Sequence, residues 1–137
     1  MTDTTTTTDP ATLDPTGLID AYFEMWNETD PARRSQLVEQ VWTSDGRHVD
    51  PLADASGHAA LTELIAGVQA QFAGHRFDRN SGIDSHHDQL RYGWQLAGSD
   101  GSVVVTAVDV AEVADGRLRR VAAFFGELPE ASSEVVS

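Results

Sequence analysis

The stretch RHVDPL at residues 47–52 sets a histidine two places before an aspartate, and the aspartate against a proline. On an extended chain alternate side chains share a face, so His48 and Asp50 point one way and Arg47 and Val49 the other. A carboxylate beside an imidazole is a proton-transfer pair, in which the carboxylate accepts and the histidine tunes or shares the proton. A second reading stays open: the residue before proline is kept out of the helical region and Asp bonds readily to nearby backbone, so Asp50-Pro51 also reads as a turn. Asp109 is another candidate, set among Val103, Val104, Val105, Val108 and Val110. Apolar surroundings disfavour a charged carboxylate and would raise its pKa. The alternative is an ion pair with Arg91 or Arg120.

The histidines suggest a different chemistry. His48, His86 and His87, with Asp50 and Asp88, carry nitrogen and oxygen donors of the kind metals take. No HxH or HxxxH spacing occurs, however, and consecutive His86 and His87 on a strand face opposite ways, so no metal site and no cofactor are expected. By alternation His86 goes with Leu90, Trp94 and Leu96 on the more apolar face. It is therefore expected to face inward. Trp26, Trp94 and Phe125, with Trp42, Phe72, Phe77 and Phe124, supply enough aromatic mass to line an apolar pocket or to fill a core.

Positioning these groups falls to one domain, since 137 residues support one substantial core and not two. Leu18, Ile19, Tyr22, Phe23 and Trp26 recur at helical spacing. Tyr22 thus lies on an apolar stripe and also reads as core packing. Asp30-Pro31 supplies an N-cap and first-turn proline for a second helix through Leu37, Val38 and Val41. A TSDG turn precedes the RHVDPL strand. A third helix is predicted from about Gly57 to Phe72, with Leu61, Leu64, Ile65 and Val68 on one stripe and Ser56 as its cap. After that the period changes from helical to alternating: HRFDRNSGID, HHDQLRYGWQLA, SVVVTAVDVAEVA and RLRRVAAFF read as four strands joined by turns such as GSDG and ADG. Helices first and a meander afterwards predict α+β.

Residues 1–12 are Thr/Asp-rich with little to bury, and 128–137 end in EASSEVVS, so both are expected to be tails flanking a domain at 13–127. With 22 acidic against 9 basic residues the formal net charge is −13, which opposes nucleic acid and anionic membranes as partners. There is no cysteine. Neither a secretion signal nor a membrane-spanning run is legible, and a cytoplasmic location is expected.

Three helices, a short strand ending in Asp-Pro and a long meander resemble the nuclear-transport-factor-2-like fold, over about residues 13–127. That resemblance implies a cone: a curved mixed sheet packed on three N-terminal helices. Tyr22 in AYFEMWNETD, Asp50 in RHVDPL and Asp109 in VTAVDVAEV match the pattern of bacterial ketosteroid isomerases. The wider pattern of WNE, DP, HHD and R-x-G-W is more similar to the SnoaL-like branch, which includes polyketide cyclases. The first resemblance implies Asp50 as a general base alpha to a carbonyl, with Tyr22 and Asp109 as oxyanion donors, the arrangement for which ketosteroid isomerase is itself the standard example. The second implies ring closure by intramolecular aldol attack. A noncatalytic ligand-binding or scaffold protein is the third expectation. The implied ligand is a small, apolar, carbonyl-containing molecule, contacted by Trp26, His48, His86, Trp94 and Phe125. The implied assembly is a homodimer through the outer sheet face, where Val104, Val108 and Val110 leave strand four apolar.

Overall fold

The computed structural model describes residues 14–131. The expected tail at 1–12 and the last six residues of the C-terminal one lie outside the described residues. Helix α1 spans Pro15–Asn27 and α2 spans Pro31–Val41. Each starts as its sequence dictates: the Asp14 carboxylate accepts from Gly17 N–H at 2.7 Å and the Asp30 carboxylate from Arg33 N–H at 2.9 Å, with a proline at the first helical position. Strand β1 follows without a break over Trp42–Asp50, then β2 over Ala53–Ser56 and α3 over His58–Gln71. The remaining strands are β3 (Arg76–Arg79), β4 (Asp84–His86), β5 (Gln89–Ala97), β6 (Val103–Ala114) and β7 (Arg117–Phe125).

These seven strands form one open, curved sheet in the order β2-β1-β7-β6-β5-β3, with β4 also paired to β5. Only β1 and β7 run parallel, which makes the sheet mixed. The three helices cover one face. Leu18, Ile19 and Met25 of α1, Leu37, Val38 and Val41 of α2, and Leu61 and Ile65 of α3 are buried against Trp42, Leu90, Leu118 and Val121. Each such side chain contributes roughly 1.5–3 kcal/mol of burial, so this layer is where the fold is held.

Several local expectations change. The TSDG segment is not a turn before the strand but an irregularity within β1, where the pairing to β7 shifts between Trp42 and Arg47. Thr43 Oγ1 donates to Asp45 Oδ1 across it at 2.8 Å. Ser56 does not cap α3; it belongs to β2, and Gly57 at φ 87° takes the cap position without a side-chain bond. The HHDQLRYGWQLA run is not one strand. His87 adopts φ 53° and, with Asp88, turns the chain so that β4 folds back on β5, pairing His86 with Gln89. Likewise HRFDRNSGID divides into β3 and a loop leading to β4.

Two interactions fix the helices relative to the sheet. Asn27 Nδ2 donates to the Phe77 carbonyl at 2.9 Å while Phe77 N–H donates to Asn27 Oδ1 at 2.8 Å, locking the end of α1 onto β3. Arg34 is buried, and its guanidinium donates to the Glu28 and Thr29 carbonyls and to Gln69 Oε1, tying the α1–α2 loop to α3. Among the described residues no helix is long and apolar enough to cross a membrane.

Candidate active site

Between the helices and the curved sheet lies a cavity of about 390 Å³. Its wall takes Tyr22, Phe23 and Trp26 from α1, His48 and Asp50 from β1, Leu64, Gly67 and Val68 from α3, Phe77 from β3, Trp94 and Leu96 from β5, Val105 from β6 and Phe125 from β7. Trp26 and Trp94 are part of the lining and leave the space open. Glu63 and Gln71 of α3 also border it, and Leu52, almost fully exposed, stands at its edge.

His48 and Asp50 meet on the cavity side of β1, as alternation requires. His48 Nε2 and Asp50 Oδ2 are 2.8 Å apart, and Asp50 Oδ1 accepts the Leu52 N–H at 2.7 Å. The turn function and the site function of Asp50 therefore coexist in one carboxylate, each on a different oxygen. Burial pushes the Asp50 carboxyl up, but the His48 N–H and the amides of Leu52 and Ala53 outweigh it and hold the group below its ordinary value. The His48 ring is 3% exposed and packs edge-on to Trp26 at 5.7 Å, and among the described residues its Nδ1 has no hydrogen-bond partner.

Tyr22 is buried in a nest of edge-on rings, with Phe23, Trp26, Trp42 and Tyr92 at centroid distances of 5.4 to 6.4 Å. It is core packing and cavity wall at once. Burial, and then the Asp109 charge, push its hydroxyl well above the usual tyrosine value, so it remains a neutral donor.

Asp109 has no exposed surface and is not part of the lining. It stands one layer back, where Oδ1 accepts Trp94 Nε1–H at 2.7 Å and Oδ2 has no hydrogen-bond partner among the described residues. Neither arginine reaches it: Arg91 bonds Asp84 at 2.5 Å. Burial raises its carboxyl to about 6 against the opposing pull of Trp94, the Tyr92 hydroxyl, His48 and the Tyr22 hydroxyl.

Of the eight expected site residues, Tyr22, Trp26, His48, Asp50, Trp94 and Phe125 share the cavity. His86 does not. The turn at His87 carries it onto exposed β4, where its Nδ1 lies 3.1 Å from His87 Nδ1. Among the described residues no three His, Asp or Glu side chains are grouped as a metal would need. Tyr92 was missed. It pairs directly with Asp109 across β5 and β6, and its hydroxyl is buried. The signal was present, because Tyr92 is the middle member of the Leu90, Trp94, Leu96 alternation.

Three helices on an open, curved, mixed sheet that encloses a cavity define a nuclear-transport-factor-2-like protein. Residues 19–121 match the SnoaL-like domain family, and the chain belongs to that family. Similar folds occur in a candidate isomerase of the SnoaL-like family from Agrobacterium tumefaciens strain C58, 32% identical, covering 80% of this chain and 95% of that one with a TM-score of 0.77. A candidate polyketide cyclase from Sinorhizobium meliloti is 19% identical over 77% of this chain and 92% of its own, at a TM-score of 0.63. A candidate ketosteroid isomerase from Kribbella flavida is 19% identical over 85% and 81%, at 0.61. The last two share the fold alone. No curated protein matches the sequence.

Proposed function

We propose that this chain is an enzyme that moves a proton alpha to a carbonyl on a small, largely apolar molecule, with Asp50 as general base and double-bond isomerisation as the reaction. The observation that carries this reading is the single open cavity wall holding a hydrogen-bonded carboxylate, Asp50, and a neutral tyrosine, Tyr22, amid apolar side chains. The 32% identical SnoaL-like relative named as a candidate isomerase supports the same class.

The chemistry follows from the groups. The Asp50 carboxylate, ionised at neutral pH, takes a proton from the carbon between carbonyl and alkene. The C–H electron pair moves to the carbonyl oxygen as a dienolate. The Tyr22 hydroxyl donates to that oxygen, and because it faces a water-poor cavity the bond strengthens as charge develops. Returning the proton from Asp50 to the γ-carbon gives the conjugated ketone and regenerates the carboxylate. Asp109 does not line the cavity; its part is to hold Trp94 and to adjoin the two tyrosine hydroxyls.

A second reading, intramolecular aldol closure of a polyketide, uses the same Asp50 deprotonation. The His48–Asp50 pair favours it, since a polar pair in the wall suits a substrate carrying several oxygens better than a hydrocarbon skeleton does. The test is Asp50→Asn, which keeps size and turn chemistry. Turnover of a β,γ-unsaturated ketone such as cyclohex-3-enone is expected to fall on the order of a hundredfold or more, with the fold retained by circular dichroism. Unchanged turnover would remove Asp50 from the reaction.

A further inference from the structure

His48 is buried, lines the cavity, and holds Asp50 by a bond that no other side chain among the described residues makes. We infer that His48 is a positioning residue that locks the Asp50 carboxylate in its deprotonated form and in one orientation toward the cavity. This deepens the general-base reading of Asp50 and rests on it for its catalytic consequence.

The surroundings of Asp50 make the lock necessary. The chain contains no lysine, and no arginine lines the cavity. The nearest guanidinium on the same strand, Arg47, is turned to the other face and engaged by Asp54 of β2 through a two-point bond at 2.9 Å. Other titratable groups around the site are acidic or phenolic: Glu63 of α3 at the rim, Asp109 of β6 behind the wall, and Tyr22 of α1. Burial favours protonating Asp50. Against it stand one imidazole N–H and the local backbone amides.

The hydrogen-bond inventory of the ring fixes its state. Nε2 faces a carboxylate, an acceptor, and Nδ1 is buried without a partner. A neutral ring protonated at Nε2 satisfies the carboxylate and leaves only a bare lone pair in the interior. The opposite tautomer would bury an N–H donor with nothing to accept it and would require a proton on Asp50. The ring packs edge-on to Trp26, with centroids 5.7 Å apart. His48 thus donates to Asp50, and a donor to the charged form stabilises the charged form.

Two variants separate this from a packing role. His48→Phe keeps a ring and removes the donor; His48→Gln keeps an N–H near the position of Nε2. The first measurement needs no substrate: the titration midpoint of the Asp50 carboxyl by carbon NMR, assigned by its loss in Asp50→Asn. His48→Phe is expected to move that midpoint upward and His48→Gln to bring it back toward the parent. With cyclohex-3-enone, the acid limb of the rate profile should move in the same direction, and kcat should fall roughly tenfold at neutral pH through loss of orientation. A purely structural role would lower the rate at every pH and leave the limb in place. Nitrogen NMR of the parent, which needs no variant to fold, should show His48 protonated at Nε2. A midpoint that stays fixed in folded His48→Phe, or a parent ring protonated at Nδ1, overturns the inference. If Asp50→Asn retains full turnover while the Asp50 midpoint still moves in His48→Phe, the lock stands and the general-base reading falls.

Discussion

The Trp94 indole N–H donates a 2.7 Å bond to Asp109 Oδ1, and through that bond a residue of the cavity wall is held by a carboxylate with no exposed surface. They sit on neighbouring strands, where Tyr92 is the pairing partner of Asp109 and lies two residues before Trp94 on β5. An acceptor was needed there for the indole. A carboxylate supplies it at an electrostatic cost, because its second oxygen finds no partner.

That cost is measurable as pH dependence. Burial raises the Asp109 carboxyl from 3.8 to about 6 in the folded protein. The folded state therefore holds a proton that the unfolded chain releases, so this contribution to stability is complete below the unfolded value and is lost as pH rises through about 6. At about 1.4 kcal/mol per pKa unit, the displacement is worth about 3 kcal/mol. Asp109→Asn cannot titrate. Relative to the parent, it should gain about 3 kcal/mol between pH 4 and pH 8 in urea unfolding. A difference independent of pH would mean that Asp109 titrates as an ordinary carboxylate.

Tyr22→Phe removes a hydroxyl from the cavity wall and leaves the ring nest intact. If that hydroxyl stabilises the developing oxyanion, kcat on cyclohex-3-enone should drop by roughly tenfold to a thousandfold with KM little changed. Combining it with Asp109→Ala should cost less than the sum of the two single changes, since both act on one connected group of side chains. Equal turnover in Tyr22→Phe and the parent would leave Tyr22 a packing residue.

The fold was legible where local chemistry and burial agree. Asp30-Pro31 marks a helix start by its cap and proline, and the stripe from Leu18 to Trp26 has one face to bury. Asp50 and Tyr22 reach the same cavity because the period of a strand and that of a helix fix which side chains share a face. What escaped depended on pairing partners distant in sequence. Ala53–Ser56 is strand only because β1 lies beside it, and nothing in ADAS itself demands extension. The His87 turn was hidden because a left-handed histidine carries no sequence mark as glycine would, so alternation was carried through it and His86 was assigned inward. The depth of Asp109 was likewise invisible, since a valine-rich strand shows that a carboxylate is buried without showing whether it reaches a cavity.

Gly67 sits inside α3 and on the cavity wall, and a Cβ built there meets nothing within 4 Å. Packing does not require glycine at this position, while helix propensity disfavours it. Gly67→Ala should stabilise the protein by about 0.5–1 kcal/mol in urea unfolding. The added methyl projects where a ligand would approach α3, so KM for a cavity-filling ketone should rise as stability rises. Gly67→Leu should extend the effect on KM. Stability gained with KM unchanged in both variants would show that ligands do not use this part of the cavity.

The outer face of the sheet bears on assembly. Val104, Val108 and Val110 of β6 and Phe124 of β7 are all exposed, with Phe124 62% so, and Val108 pairs directly with Phe124. Together, with Thr106 between Val104 and Val108, they form a largely apolar patch on the face that the helices leave uncovered, more than isolated surface hydrophobics. A second copy of the same sheet offers a matching surface, and two-fold pairing closes without leaving a further sticky face. Sedimentation at micromolar concentration should give twice the 14.8 kDa chain mass. Val108→Glu, at an exposed position, should leave the fold intact by circular dichroism yet place a charge in the apolar patch of each copy, shifting the protein to monomer. A parent chain that sediments as a monomer would count directly against this assembly and leave that apolar face open to water.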